Sequence, residues 1–119
     1  LYGSLVYVFA ETFHDFIILL SFLFPFYCDE FTTMLLRLKK KENLFYAHRS
    51  HLYQILANEG GFGHLKTSLW YVLLQGVIGG ASILIHDIPA VFTLFLLIVF
   101  LYGFWVFSIR VRIKYHVAV

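Results

Sequence analysis

Charge is the scarcest commodity in this chain. Only 13% of its 119 residues are Asp, Glu, Lys or Arg, while 61% are hydrophobic and the mean hydropathy is +0.80. A soluble domain carries about a quarter charged residues and about half apolar ones, so the composition is that of an integral membrane protein. Cys28 is the only cysteine, which excludes a disulfide framework and a cysteine-based zinc site. The start has neither a basic stretch nor a small-residue cleavage site, so no signal peptide is expected. Leu1 is followed by Tyr2 with no initiator Met, and the expectation is a C-terminal piece of a longer protein. None of the six histidines falls in the middle of an apolar run, which argues against a haem carrier, since axial ligands would have to lie buried between helices. The net charge of +2 names no partner by itself, and no nucleic acid is expected.

What is present is apolar length. A helix needs about 20 apolar residues to cross a bilayer, and three segments qualify: about 16–38, 65–85 and 88–109. The first is interrupted by Pro25 and by Asp29-Glu30. In the second, Gly76, Gly79, Gly80 and Ala81 offer a close-packing face. The third holds no charge and opens with Pro89, tolerated in a first turn. Leu1–Ala10 is apolar but too short to cross, and reads as the tail of a span whose beginning is absent. The expected fold is all-α: one polytopic membrane domain over 1–119, with about three full transmembrane helices, a partial N-terminal one, and a short amphipathic helix in a loop at about 39–64.

The few charges are sorted by side. Arg37, Lys39, Lys40, Lys41, Arg49 and Lys66 belong to the loop between the first two spans, and Arg110, Arg112 and Lys114 follow the third. The connections at 11–15 and 86–87 contain no Lys or Arg. The positive-inside rule therefore places the 37–66 loop and the C-terminus in the cytoplasm, and Asp15 and His86-Asp87 outside.

Within the basic loop, 47–58 supports a short helix, ended by the glycines at 60, 61 and 63. On it His48, His51 and Ile55 would lie about a turn apart on one face. Arg supplies a planar fork for phosphate oxygens, and His adds donors near neutral pH. His48-Arg49-x-His51 is thus a plausible diphosphate clamp, weighed against an ordinary basic loop drawn to anionic lipid heads. No third ligand accompanies the two histidines, so a metal site there is the weaker reading.

Asp29-Glu30 stands inside an apolar span, where charge costs a few kcal/mol and usually faces protein or an aqueous cavity. Asp29 lies eight residues before Arg37, so helical rise puts it roughly 12 Å deeper. It is expected to face a cavity open to the cytoplasm, or to pair with Arg37 or a neighbouring helix. The lysines 39–41 read as topology determinants, and His14, His86 and Asp87 as solvated loop residues.

Taken together, Phe26-Tyr27-Cys28-Asp29, Leu36-Arg37-Leu38, the run from Phe45 through Ala47-His48-Arg49-Ser50-His51-Leu52-Tyr53-Gln54, and Gly63-His64-Leu65-Lys66 resemble a known pattern. It is the C-terminal part of the polyprenyl-phosphate glycosyl-1-phosphate transferases (glycosyltransferase family 4), close to the O-antigen-priming branch. The resemblance covers roughly residues 26–75. It implies a many-helix enzyme of the bacterial inner membrane that moves N-acetylhexosamine 1-phosphate from a UDP-sugar to undecaprenyl phosphate. UMP is released, Mg²⁺ is used, and the product serves cell-surface polysaccharide synthesis.

By the same resemblance, His48, Arg49 and His51 contribute to the nucleotide-sugar diphosphate site, with Tyr53 and Gln54 as branch-typical neighbours. Asp29 matches an acidic position late in the preceding helix, and Arg37 the basic residue ending it. The family's catalytic and metal-binding carboxylates lie upstream of this chain, which alone is expected to be inactive; Gly3-Ser4 is not assigned to the family's Gly-Asp-x-Gly-Ser motif. The competing expectation is a small non-catalytic membrane subunit whose basic loop binds lipid headgroups or a partner. A lipid phosphatase is not supported, since no Pro-Ser-Gly-His motif is present.

Overall fold

The computed structural model describes residue 1 and residues 12–43 and 50–115. Among the described residues the chain is all helical, with no strand. The helices are α1 (Phe13–Ser21), α2 (Phe24–Lys39), α3 (Leu52–Ala57), α4 (His64–Leu84) and α5 (Ala90–Lys114). The segment 2–10 and Gly3-Ser4 within it lie outside the described residues.

Two helices, α4 and α5, are long and apolar enough to cross a membrane. With 21 and 25 residues they measure about 32 and 38 Å, against about 30 Å of hydrocarbon. The segment expected to form one span, interrupted at Pro25 and Asp29-Glu30, is broken just before Pro25. α1 and α2 pass the same test only as a pair, bent by 77°. Pro25 explains the break: in a continuous helix its ring would meet the carbonyl of Ser21, four residues earlier. It sits instead in the first turn of α2, where the missing N–H is no loss. Ser21, fully buried at the break, donates its hydroxyl to the Ile18 carbonyl at 2.6 Å.

The helix ends follow their residues. Thr12 caps α1 through a reciprocal pair: its hydroxyl accepts from the Asp15 N–H at 3.1 Å, and the Asp15 carboxylate accepts from the Thr12 N–H at 2.9 Å. Gly63, at φ +74°, turns the chain into α4 through a region that favours glycine.

Polar side chains are turned inward and apolar ones outward, which suits a lipid surround. On α2 the buried set includes Asp29, Thr32, Thr33 and Arg37, spaced as one helical face. Thr67 and Ser82 on α4 and Thr93, Ser108 and Arg112 on α5 are also buried. Leu73, Val77, Leu84, Val91 and Ile98 are exposed. Cys28, Leu52, Ile55, Phe104 and Val111 form the small apolar core.

The glycine face of α4 is narrower than expected. Among the described residues only Gly79 meets a neighbour: a Cβ there would run into the ring of Phe22 at the α1–α2 bend. A Cβ on Gly76 or Gly80 would meet nothing within 4 Å among the described residues.

α4 and α5 are consecutive and antiparallel, yet each packs on α1, α2 and α3 rather than on the other. At one end of the bundle stand the described lysines and arginines. At the other, residues expected to be separate and solvated are assembled. His14 and His86 stack with ring centres 5.2 Å apart and planes within 4°. His14 also meets the Thr93 hydroxyl at 3.3 Å, and His86 lies 3.4 Å from Asp15 and 3.7 Å from Asp87.

Candidate functional site

The site is organised by one buried carboxylate. Asp29, 3% exposed, takes the first two amides of α3: the Leu52 N–H donates to Oδ1 at 2.7 Å and the Tyr53 N–H to Oδ2 at 3.0 Å. Those amides have no partner within their own helix. The Tyr71 hydroxyl of α4 donates to Oδ2 at 3.0 Å, and Thr33 reaches Oδ1 at 3.4 Å. Asp29 therefore ties α2, α3 and α4 together. It borders a cleft, but its oxygens are occupied mainly by this chain's own donors.

Arg112 extends the network to α5. Its guanidinium, 1% exposed, donates to the Thr33 hydroxyl at 3.0 Å and to Ser108 at 3.3 Å. An unpaired buried cation would cost several kcal/mol; here two hydroxyls accept from it, and Asp29 lies just beyond Thr33.

Asp29 caps α3 at Leu52, so Ser50 and His51, expected within the helix from 47, are not helical, and 47–49 lie outside the described residues. His51 is extended at φ −66°, ψ 146° and forms the cap position, so it is not on the face of Ile55. The Gln54 side chain folds back to accept from the His51 N–H at 3.4 Å. The imidazole of His51 comes within 3.6 Å of the Glu30 carboxylate. Glu30 is largely exposed, so the pair contributes little stability, but it orients the ring.

Asp29, Glu30, His51, Gln54, Ser68 and Gln75 border a cleft of about 350 Å³ between α2, α3 and α4. Tyr53 closes one side, its hydroxyl 3.3 Å from Ser68 and 3.4 Å from His64, its ring edge-on to Tyr71 at 5.8 Å. The cleft offers two carboxylates, of which Asp29 is already hydrogen-bonded, an imidazole, two amides and hydroxyls, a set suited to hydroxyl and amide groups.

Of the sequence-selected residues, Asp29 and His51 meet at this cleft. Arg37 does not line it: its side chain donates to Glu42 at 3.1 Å and to the Asn43 carbonyl at 2.6 Å, closing the turn after α2. In that turn Lys41 adopts φ +57° and the Glu42 N–H bonds back to the Arg37 carbonyl. His48 and Arg49 lie outside the described residues.

Sequence reading missed Tyr71, Arg112 and the pairing of Glu30 with His51. Tyr71 is 42 residues from Asp29, and nothing local marks it. Arg112 had a signal: Ser108 and Arg112 on α5, like Asp29 and Thr33 on α2, are polar residues four apart in apolar helices, hence on one inward face.

The fold and cleft define an all-helical protein with two membrane-length helices and a polar site at its basic end. Comparisons with family models, with curated proteins and with solved structures found no match.

Proposed function

We propose that the chain is the C-terminal part of a transferase of the bacterial inner membrane. It would act on N-acetylhexosamine 1-phosphate, taken from a UDP-sugar and passed to undecaprenyl phosphate with release of UMP. Residues 37–66 and the C-terminus would face the cytoplasm. The observation that carries this reading is the cleft where His51 and Glu30 meet, at the basic end and within the 26–75 stretch that bears the resemblance.

Phosphoryl transfer is mainly positioning and charge neutralisation. In this reading Asp29 is a positioning residue: it fixes the start of α3 and with it His51. His51 faces the donor diphosphate, and Gln54, Ser68 and Gln75 meet sugar hydroxyls and the acetamido group. Among the described residues no three His, Cys, Asp or Glu side chains are grouped as metal ligands. The Mg²⁺ that the reading implies would be held mainly by carboxylates outside this chain, and the proposed role of the described residues is holding the donor.

The test is UDP-N-acetylglucosamine binding to the chain in lipid nanodiscs, read by saturation-transfer NMR. Saturation of uridine and sugar protons is expected, reduced at least tenfold by His51→Ala while helicity is unchanged. No saturation, or the same saturation in His51→Ala, overturns the reading. Within a complete transferase, Arg49→Ala or His51→Ala should leave membrane insertion intact and remove most turnover.

The second reading, a non-catalytic subunit, is favoured by one observation. Both Asp29 and Arg37, selected as substrate residues, spend hydrogen bonds on the chain itself.

A further inference from the structure

A second cavity lies on the far side of Tyr71. α4 and α5 diverge, and the groove between them, about 620 Å³, is floored by Leu52 and Leu56 of α3 and walled by Trp70, Phe100, Phe104 and Phe107. Ligand pockets run from about 300 to 1,000 Å³, so the groove is large enough for a real occupant. Its lining is almost wholly apolar, whereas the cleft beside Asp29 mixes polar groups with apolar ones.

Two facts identify what fits. The first is charge. Lys66 stands four residues before Trp70 and Arg110 three after Phe107, and both are exposed. Helix residues three or four apart share a face, so each cation sits one turn beyond the apolar wall, at the basic end. The second is length. The groove runs from Thr67 to Leu74 on α4 and from Phe100 to Phe107 on α5, about 10 Å of helix on each side. That admits part of an acyl chain and is far too short to enclose a chain of many isoprene units.

We infer that this groove binds one anionic phospholipid, with an acyl chain against Trp70, Phe104 and Phe107 and its phosphate at Lys66 and Arg110. The site is separate from the donor cleft and does not depend on the transferase reading. Lys or Arg near an anionic lipid surface is worth about fivefold in binding each, so roughly 25-fold for the pair.

Gly103 gives a way to close the groove. It lines the cavity, and a Cβ there would meet nothing within 4 Å. Gly103→Phe should therefore fill the space without disturbing the core. Gly76, equally open and outside the lining, serves as control in Gly76→Phe.

Native mass spectrometry of the whole chain, released from detergent with added phosphatidylglycerol or phosphatidylcholine of identical chains, reads the outcome. One retained phosphatidylglycerol is expected, at roughly 25-fold the occupancy of phosphatidylcholine. Lys66→Gln with Arg110→Gln should abolish the preference. Gly103→Phe should remove the retained lipid and Gly76→Phe should not, with circular dichroism verifying helicity in each. Equal retention of both lipids, or full retention in Gly103→Phe, overturns the inference. Displacement of phosphatidylglycerol by equimolar undecaprenyl phosphate overturns it too, by giving the groove to the acceptor, and leaves the donor-cleft reading standing.

Discussion

The two ends of the bundle use similar side chains under different burial, and the difference decides what each is worth. At the basic end Asp29 and Arg112 are sealed between helices, and their hydrogen bonds run to backbone amides and hydroxyls. At the other end Asp15, His14, His86 and Asp87 gather at comparable distances, but His86 and Asp87 are exposed to solvent. Exposed ion pairs contribute about 0–1 kcal/mol, whereas removing one member of a buried set leaves its partners unpaired at about 3–5 kcal/mol. The basic end should therefore hold the tertiary structure, and the histidine end should be locally replaceable.

Asp29→Ala is the sharpest way to break that comparison. It strands two α3 amides, the Tyr71 hydroxyl and the Arg112 side of the network, and should cost about 3–5 kcal/mol. Unfolding in detergent followed by tryptophan fluorescence measures the loss; a change below about 1 kcal/mol would contradict the network. Arg112→Met should cost less, and combining it with Asp29→Asn should fall short of additivity by about 0.5–3 kcal/mol if Thr33 couples the two.

A smaller effect separates the glycines. Gly79→Ala places a methyl against the Phe22 ring at the bend, an overpacking change worth about 1–3 kcal/mol. Gly76→Ala meets open space and should be neutral or stabilising by up to about 1 kcal/mol through helix propensity. Thermal unfolding of the two variants tests this, and equal losses would mean that Phe22 moves aside freely.

What the sequence made legible was set by period and composition. Two of the expected spans, about 65–85 and 88–109, are the helices α4 (His64–Leu84) and α5 (Ala90–Lys114). The inward face of α2 was also present in the spacing of Asp29, Thr32, Thr33 and Arg37, although only its ends were selected. Pro25 was seen as an interruption, but the 77° turn there and the packing of Phe22 against Gly79 are tertiary features that no local pattern encodes. The start of α3 was misplaced for a similar reason. Helical periodicity ran back through His51 and Ser50, while the cap that starts the helix at Leu52 is a carboxylate more than twenty residues earlier. For the same reason the candidate site was only half legible: Asp29 and His51 stand out in sequence, whereas Tyr71 and Arg112 join them only through the tertiary fold.

The smallest expected effect lies at the histidine end, where it also bounds the comparison. The hydrogen bond from the Thr12 side chain holds the Asp15 carboxyl below the ordinary aspartate range, opposed by some desolvation, with the Thr12 amide and His86 adding to the lowering. A carboxyl lowered in the folded state binds its proton less readily than in the unfolded chain, so its stabilisation is complete above about pH 4, the ordinary aspartate range, and fades as pH falls through the lower folded value. Asp15 sits in the first turn of α1, where a negative charge also favours the helix dipole. Acid should therefore loosen that turn without unfolding the bundle. Hydrogen exchange of the amides at 13–16 should quicken relative to the core of α5 as pH is lowered from 5 to 3, once intrinsic exchange is corrected for. Asp15→Asn should exchange at the fast rate throughout and show no such pH dependence. A fall in protection that reached α3 at the same pH would instead mean that the two ends are coupled, and that the apparent independence of the histidine end is wrong.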